Sequence, residues 1–244
     1  MKIDLNADVG EGYDDRALMP YLTSVNVACG GHAGDARTMA DTVGAAIELG
    51  NAVGAHPSYP DREHFGRREL ALPLAAIEAS IREQVGALAA TAAAAGARLV
   101  HVKPHGALYN VAAREVAVAR AVARAVRDVD PELRLIGLAG SILLEMAGEM
   151  GLASAGEGFA DRLYMADGSL APRTLAGAVI VDPAAAAEQA LRIARDREVV
   201  AADGTRVRIR AETLCIHGDT RGAPAIARAV RERLLNAGIE IQAL

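Results

Sequence analysis

The chain has 244 residues, 52% of them hydrophobic, and a formal net charge of -5 at pH 7. This length suits either one large α/β domain or two small ones and is ample for a buried core. The mild acidity, without any basic stripe, argues against a nucleic-acid partner, and no apolar run is long enough to span a bilayer.

The cysteines and the N-terminal residues favour a cytoplasmic protein. Cys29 and Cys215 are the only cysteines, which is not a disulfide framework and indicates a reducing compartment. The chain runs from Met1 and Lys2 directly into IDLNADVG, without an apolar signal region. We therefore expect a cytoplasmic location and no membrane association.

Short β-rich runs alternate with longer Ala-rich helical patterns along the chain. The predicted strands lie at 2–7, 24–28, 51–55, 98–102, 133–138 and 213–216, with a weaker candidate at 153–159. The predicted helices lie at 36–49, 73–95, 111–127, 141–150, 183–196 and 223–237. Asp35 is expected to cap the first of these helices, and a hairpin is predicted to turn at Asp203 and Gly204.

This alternation predicts a parallel sheet with helical crossovers, an α/β fold. About seven such units favour an irregular (β/α) barrel over an open sheet. No Pro/Ser-rich linker, composition shift or internal repeat divides the sequence. Residues 1–244 are therefore predicted to form a single barrel domain that carries the catalytic site.

Polar residues are concentrated at the ends of the predicted strands, where barrels of this kind place their active sites. All six histidines lie within or shortly after a predicted strand. Lys103 is one of only two lysines among 26 basic residues, which suggests a role for a compact charge. The candidate catalytic residues are Asp8, His32, His56, Lys103, His105 and His217, and the candidate substrate-binding residues are Asn6, Asn26, Arg67, Arg68, Asp161 and Arg162.

Several of these residues have structural interpretations as well. His101 lies inside a strand and is compatible with a hydrogen-bonded core histidine, and Arg67 and Arg68 are compatible with solvated surface charge. Asp4 shares one strand face with Asn6 and Asp8, and buried carboxylates need partners, which favours function there.

Sequence motifs narrow the chemistry further. The chain has no G-x4-G-K-[ST] phosphate loop and no G-x-G-x-x-G, so no nucleotide-binding motif is present. It also has no G-x-S-x-G elbow, which disfavours a serine hydrolase. A carboxylate with two histidines can hold a divalent metal ion at a barrel mouth. Asp8, His32 and His56 are the candidate ligands for such an ion.

Six segments resemble, in order and spacing, the LamB/YcsF family, which is described as the A component of 5-oxoprolinase. The segments are DLNADVGEG, VNVACGGHAGD, GAHPSYPDREHFGRR, HVKPHGALYN, EGFADRLY and CIHGD. The resemblance extends from Ile3 to the C-terminal GIEI. One departure is Gly31, where the family has an aromatic residue before the histidine, and we expect it to loosen the packing around His32.

The resemblance implies an irregular (β/α) barrel related to glycoside hydrolases and polysaccharide deacetylases. It also implies an ATP-hydrolysing 5-oxoprolinase, in which this chain works with two other subunits. The complex would open the lactam of 5-oxo-L-proline to L-glutamate, with ATP as co-substrate and hydrolysis to ADP and phosphate. Because the chain lacks a phosphate loop, we expect negligible ATPase activity from it alone.

Residue types and positions suggest roles that the resemblance does not fix. Asp8, His32 and His56 would transfer protons or bind metal, Lys103 with Arg67 or Arg68 would hold anions, and His105 or His217 would act as the acid. Single replacement of Asp8, His56 or Lys103 is expected to abolish turnover with stability near wild type. The alternatives are a metal-dependent carbohydrate deacetylase or glycosidase and a non-catalytic barrel that only binds a small acid.

Overall fold

Ten strands and eight α-helices make up the structure, a computed structural model that describes residues 1–244. The strands are β1 Lys2–Val9, β2 Ser24–Ala28, β3 Ala52–His56, β4 His101–Val102, β5 Arg134–Leu138, β6 Ser154–Phe159, β7 Glu198–Val200, β8 Arg206–Arg208, β9 Thr213–Cys215 and β10 Glu240–Ile241. The helices are α1 Asp15–Leu18, α2 Ala36–Leu49, α3 Leu74–Ala94, α4 Gly106–Arg114, α5 Val116–Val129, α6 Ile142–Glu149, α7 Pro183–Leu191 and α8 Ala223–Asn236.

Seven of the strands are parallel and close into a barrel, which confirms the predicted fold class. Their order is β1-β2-β3-β4-β5-β6-β9, and β9 pairs with both β6 and β1 to complete the ring. β10 extends the sheet beside the start of β1, and β7 pairs with β8 as a separate antiparallel hairpin. Helices cover the outside of the barrel, and none of them combines the length and apolarity needed to cross a bilayer.

Local signals in the sequence explain where several elements begin and end. Asp35 accepts a hydrogen bond from the Thr38 N–H and caps α2, as predicted, and Gly50 ends that helix at a φ of 74°. The predicted hairpin turn is also present, with Gly204 at a φ of 87°. Both turns use glycine because its backbone adopts positive φ without steric cost.

Two predicted helices differ from the observed ones. The segment 111–127 is two helices, because Glu115 adopts an extended conformation (φ -114°, ψ 109°) between α4 and α5, and α4 starts directly after His105. The segment 183–196 is helical only to Leu191 and then widens into a π-helical turn at Arg192–Asp196. Neither break involves proline or glycine, so the sequence carries no local signal for them.

The barrel strands are buried on both faces, and the two faces differ in polarity. On β1, Leu5 and Val9 are fully buried apolar residues, whereas Asp4, Asn6 and Asp8 alternate with them and are also buried. Because successive side chains of a strand point to opposite faces, the polar set occupies the barrel interior and the apolar set packs beneath the helices. The interior of this barrel is therefore polar.

Candidate active site

The C-terminal ends of the barrel strands open into one cavity of about 590 Å³. Loops that follow several different strands line it, in keeping with the strand-end positions of the polar residues. The lining includes seven of the predicted site residues: Asp8, His56, Arg67, Lys103, His105, Arg162 and His217.

Beneath the cavity, the barrel interior holds a hydrogen-bonded set that we call the interior network, consisting of Asp4, Asn6, Asn26, His101, Glu157 and Thr213. The Asp4 carboxylate accepts hydrogen bonds from the hydroxyl groups of Thr23, Ser24 and Thr213. Burial still raises the pKa of Asp4 despite these three donors. The carboxylate is therefore partnered by neutral donors alone, as expected of a structural element.

Asn6 and Asn26, both predicted to bind substrate, belong to this network and do not line the cavity. Both are fully buried, and Asn26 donates to Asn6 Oδ1 at 2.8 Å and to Asp8 Oδ1 at 2.9 Å. His101 Nε2 in turn contacts Asn26 Oδ1 at 2.8 Å. Asn26 therefore positions Asp8, and Asn6 donates to Glu157 and Thr213, instead of facing the cavity.

Lys103 lies between two buried carboxylates at the floor of the cavity. Its Nζ is 2.9 Å from Asp8 Oδ1 and 2.9 Å from Glu157 Oε1, and it also donates to Cys215 Sγ at 3.2 Å. Burial alone would lower the pKa of Lys103, but Asp8, Cys215 and Glu157 outweigh it and hold that pKa well above its usual range. Burial likewise would raise the pKa of Asp8, but His56 and Lys103 hold it well below its usual range.

This arrangement changes two expectations from the sequence. The Lys103 ammonium is only 2% exposed and its charge is matched by two carboxylates, so it is not free to hold a substrate anion. Removal of Lys103 would leave two buried carboxylates without their cation, and removal of Asp8 would take away one of the two carboxylates that hold Lys103. Replacement of either residue is therefore expected to reduce stability, contrary to the expectation of stability near wild type.

Beside Asp8, four side chains form what we call the histidine cluster: Glu11, His32, His56 and His105. Glu11 Oε1 lies 2.8 Å from His32 Nε2, 3.4 Å from His105 Nδ1 and 3.8 Å from His56 Nε2. His105 Nδ1 and His56 Nε2 are 3.0 Å apart, and the His32 and His105 rings are stacked with centroids 3.7 Å apart. Glu11, His56 and His105 line the cavity, whereas His32 lies behind them.

Backbone carbonyl groups fix the tautomers of two of these rings. His56 Nδ1 lies 2.7 Å from the Lys103 carbonyl oxygen, and His105 Nε2 lies 2.9 Å from the Phe65 carbonyl oxygen. A carbonyl oxygen can only accept, so each of these ring nitrogens carries the hydrogen. In the neutral rings, His56 Nε2 and His105 Nδ1 therefore face each other without one.

The turn that carries Phe65 is shaped around the cluster. Phe65 has a φ of 54°, which is uncommon for a bulky residue, and Gly66 follows at 64°. A Cβ on Gly66 would lie 2.9 Å from the His32 Cβ and 3.0 Å from His105 Cδ2. Gly31 is also closely packed, because a Cβ there would overlap Gln84 and Ser58. The expectation that Gly31 loosens the packing around His32 is therefore wrong.

Burial disfavours charge on three members of the cluster, Glu11, His32 and His105. It raises the pKa of Glu11 to about 9, with the nearby Asp8 carboxylate adding to the effect. It also lowers the pKa of His32 to about 2, with a further contribution from His56, and lowers the pKa of His105 well below its usual range. The chain thus buries a carboxyl group beside two imidazoles whose charged forms burial disfavours.

On the opposite wall, Asp161 holds His217 towards the cavity. Asp161 is fully buried and accepts hydrogen bonds from His217 Nδ1 at 2.9 Å, the His217 backbone N–H at 3.1 Å and the Thr220 hydroxyl at 2.8 Å. The His217 ring stacks on Phe159, with centroids 5.3 Å apart. With Nδ1 bound to a carboxylate, Nε2 is the nitrogen left for a ligand. Asp161, a predicted substrate-binding residue, instead orients His217.

Arginines at the cavity entrance supply positive charge. Arg67 and Arg173 both bind the Asp219 carboxylate, at 2.6 Å and 2.9 Å. Arg162 lines the cavity and donates to the carbonyl oxygens of two residues in the loop above it. Arg68 is exposed and does not line the cavity. The two adjacent arginines of the motif are thus separated, with one facing the cavity and one facing solvent.

The predicted set of site residues omits four that the structure places at the site: Glu11, Tyr109, Glu157 and Arg173. Glu157 accepts from the Tyr109 hydroxyl at 2.8 Å as well as binding Lys103. Glu11 lies between the two glycines of GEG, and the strand-end rule that selects Asp8 applies equally to it. Arg173 lies far beyond the end of β6, in a loop without a motif, so only the fold brings it to the cavity.

Two groups of side chains have the composition and spacing to hold a metal ion. The first is the histidine cluster, and the second consists of Asp8, Cys215 and His217. The predicted triad of Asp8, His32 and His56 is divided between them, although Asp8 Oδ2 lies 3.3 Å from His56 Nε2. His32 and His56 thus lie together with Glu11 and His105, neither of which was predicted as a metal ligand.

Comparison with known proteins gives one consistent result. The model of the LamB/YcsF family matches residues 3–244. A Chloroflexus aggregans protein, named as the A component of 5-oxoprolinase, is 54% identical over 99% of this chain and 98% of its own length. The crystal structure of a lactam utilization protein from Thermus thermophilus superposes with a TM-score of 0.94 at 47% identity, covering 100% of both chains. A deacetylase, T48, shares the fold at a TM-score of 0.50 and 14% identity, over 98% of this chain and 86% of its own.

Proposed function

The chain belongs to the LamB/YcsF family, and from this premise we propose that it is the barrel subunit of an ATP-dependent 5-oxoprolinase. The complex would convert 5-oxo-L-proline to L-glutamate. Relatives named as the A component of 5-oxoprolinase, at 51–54% identity over nearly full length, support the substrate class. The observation that carries the proposal is one cavity into which acids, bases and cations from separate strand ends all project.

The proposed reaction explains why such a set of groups is needed. A lactam is an unactivated amide, so water attacks its carbonyl carbon slowly. Transfer of the ATP γ-phosphoryl group to the lactam oxygen would give an imidate-like carbon. Water would then add to that carbon, and the C–N bond of the ring would break with a proton delivered to nitrogen. A second water would release the phosphate, leaving the free carboxylate of glutamate.

His217 is the proposed acid for the ring nitrogen. Asp161 holds its Nδ1 and leaves Nε2 towards the cavity, which is the arrangement of an oriented acid–base histidine. His56 and His105, on the opposite wall, would face the attacking water. Tyr109 and Glu157 would act indirectly by fixing Lys103 and Asp8 beneath the substrate.

Arg67 and Arg173 are the proposed binding groups for the substrate carboxylate or the transferred phosphoryl group. Both guanidinium groups line the cavity and are partly exposed, with 41% and 34% of their side chains accessible. Each pairs with Asp219, so a substrate anion would take a place beside that carboxylate. Guanidinium groups bind carboxylate and phosphate oxygens through paired N–H donors.

ATP would be bound in the complex with the other two 5-oxoprolinase subunits, since this chain has no phosphate-loop motif. The direct test is to supply 5-oxoproline and ATP to this chain with each of the two partners added or left out. Glutamate and phosphate release are expected only from the complete set, with negligible ATPase activity from the barrel alone. A full set without lactam-dependent phosphate release would contradict the proposal.

Arg67 and Arg68 form a matched pair for the anion-binding role. Arg67→Met is expected to raise the KM for 5-oxoproline by about 10–100-fold, since hydrogen bonds to charged groups contribute about 1.5–3 kcal/mol. Arg68→Met removes the same charge from the neighbouring position outside the cavity and should change the KM less than about twofold. Equal effects of the two substitutions would show that only the overall charge matters.

A metal-dependent carbohydrate deacetylase is the competing activity, because a deacetylase shares the fold. The same purified chain should be assayed on acetylated sugars without ATP and without partners. Acetate release under these conditions would favour the deacetylase, whereas the 5-oxoprolinase proposal predicts none.

A further inference from the structure

We propose that Glu11, His56 and His105 bind a divalent transition metal ion, with zinc as the best fit, and that His32 positions Glu11. The ion would lie at the wall of the active-site cavity, and any role of the ion in catalysis rests on the proposed function. Metal binding itself needs neither substrate nor partner subunits. A failure of one proposal can therefore be told from a failure of the other.

The first argument is the spacing of the three ligand atoms. Glu11 Oε1, His56 Nε2 and His105 Nδ1 are 3.0, 3.4 and 3.8 Å apart in pairs. Zinc binds nitrogen and oxygen at about 2.0–2.1 Å, which gives a tetrahedral edge of about 3.3–3.4 Å. The observed distances lie on both sides of this edge, so small adjustments would bring all three atoms to bonding distance.

The second argument is that no hydrogen lies between the two ring nitrogens in the neutral state. The carbonyl groups of Lys103 and Phe65 occupy the opposite nitrogens of His56 and His105. Ligating histidines commonly donate their other ring N–H to such a carbonyl group, which orients the ring. Two lone pairs 3.0 Å apart then need a shared cation, either a proton or a metal ion. Phe65 also retains an uncommon positive φ of 54°, and its carbonyl group is the one that orients His105.

His32 differs from the other two histidines. Its ring is parallel to that of His105 within 4°, so one ion cannot lie in the plane of both rings. The 2.8 Å distance from His32 Nε2 to Glu11 Oε1 is a hydrogen-bond distance, shorter than a tetrahedral edge. His32 Nδ1 has no partner, which fits a nitrogen without hydrogen and places the hydrogen on Nε2. His32 therefore acts as a donor that fixes the Glu11 carboxylate.

The second group of potential ligands is less suitable. Asp8 and Cys215 both accept hydrogen bonds from Lys103 Nζ, at 2.9 and 3.2 Å. A cation bound by these two atoms would lie beside the ammonium group. The charge of Lys103 therefore disfavours a metal ion at Asp8, Cys215 and His217 and leaves the histidine cluster as the site.

Three protein ligands leave one position of a tetrahedral ion open, and all three ligands line the cavity. This is the pattern of catalytic zinc sites, in which the bound ion lowers the pKa of a water to about 7. The chain's own contribution would be to hold the three ligand atoms at the cavity and to orient Glu11 through His32.

The test uses the full chain, freed of metal by a chelator and titrated with Zn²⁺ and with Co²⁺ as a spectroscopic probe. We expect one ion per chain and Co²⁺ absorption bands typical of a tetrahedral site. Glu11→Gln and His105→Gln should each lower the affinity by at least about 100-fold, as loss of a ligand should exceed the 10–100-fold effect of an orienting group. His64→Gln, a half-exposed histidine outside the cluster, is the matched control and should bind like wild type.

His32→Ala separates a positioning residue from a ligand. It should lower the affinity by about 10–100-fold while keeping one ion per chain and the tetrahedral Co²⁺ bands. Failure of the folded wild-type chain to bind either ion would overturn the proposal. So would loss of binding in Cys215→Ser but not in Glu11→Gln, or complete loss in His32→Ala. Glu11 lies in a loop, so its variant keeps the test valid even if the His105 variant does not fold.

Discussion

The interior network lies within the barrel strands and the histidine cluster lies at or just after strand ends, and their polar atoms are satisfied in different ways. In the interior network Asp4 accepts from three hydroxyl groups, and Lys103, on the cavity floor above the network, is matched by Asp8 and Glu157. At the cavity, His56 and His105 turn unprotonated nitrogens towards each other beside Glu11. Burial of polar groups is therefore not itself a sign of function; the sign is a buried polar group whose partner must come from outside the chain.

The largest expected effect comes from breaking the interior ion pairs. Lys103→Met should lower the free energy of unfolding by about 3–5 kcal/mol, because it leaves Asp8 and Glu157 as buried carboxylates without a cation. Urea denaturation of the metal-free chain measures the change. Lys2→Met, at a side chain that is 59% exposed, should stay within about 0.5 kcal/mol of wild type. Equal stability of the two variants would remove the structural role assigned to Lys103.

A second test concerns the space that the interior network needs. A Cβ on Gly54 would overlap the His101 ring, so Gly54→Ala should destabilise the chain by about 1–3 kcal/mol through overpacking. Gly44 lies in α2 with open space where its Cβ would be, and Gly44→Ala should stabilise by about 0.5–1 kcal/mol. Thermal or urea unfolding should thus move in opposite directions for two identical substitutions.

The Asp161–His217 pair shares a property with each of the two regions. Its hydrogen bond is made within the chain, as in the interior network, but His217 lines the cavity, as the histidine cluster does. Burial alone would raise the pKa of Asp161, but His217 and Thr220 outweigh it and lower that pKa below its ordinary value of 3.8. The native state therefore binds this proton less readily than the unfolded state, so the stabilisation is present above about pH 4 and is lost as the pH falls through the folded pKa.

Asp161→Asn should lower the free energy of unfolding by about 1 kcal/mol at pH 7, through loss of one hydrogen-bond acceptor. The gap between wild type and variant should shrink as the pH falls below about 4, the unfolded pKa of an aspartate. Asp41→Asn, at a carboxylate that is 75% exposed, is the control and should show no comparable gap. A gap that widens in acid would contradict the assigned direction of the pKa shift.

The smallest expected change in stability belongs to the histidine cluster. In the metal-free chain, Glu11→Gln should alter the free energy of unfolding by less than about 1 kcal/mol, because burial already disfavours the Glu11 charge and the pKa is raised to about 9. The same substitution should abolish 5-oxoprolinase activity in the reconstituted complex. A loss of stability as large as that of Lys103→Met would place Glu11 in the structural network and end the contrast between the regions.

Much of the fold follows from local signals in the sequence. Alternation of strand and helix patterns predicts the barrel, Asp35 marks the start of α2, and Gly204 marks the hairpin. The interruptions at Glu115 and after Leu191 are absent from the prediction, because tertiary packing decides them without proline or glycine. Strand-end position alone selects seven residues that line the cavity.

The roles of individual residues within the site do not follow from the sequence in the same way. The sequence predicts that Asn6 and Asn26 touch substrate, yet both lie below the cavity, where Asn26 donates to Asp8 and Asn6 donates to Glu157. The sequence also predicts that Lys103 holds a substrate anion, yet the positive charge of Lys103 is already paired with the carboxylates of Asp8 and Glu157. A residue that binds substrate and a residue that only supports its neighbours can have the same type and the same position along a strand. Only the depth of the side chain within the barrel distinguishes the two roles.

The residues in their order are enough to predict the closed parallel barrel, the rim on which its ionisable groups gather and the family to which the chain belongs. These follow from periodicity, punctuation and motifs, which are properties of neighbouring residues. The folded chain is needed to see which charged groups pair with one another and which face the cavity, and folding brings Arg173 to the cavity. The physical reason is that charge pairing and tautomer choice depend on distances of about 3 Å between residues far apart in the chain, which no local pattern encodes.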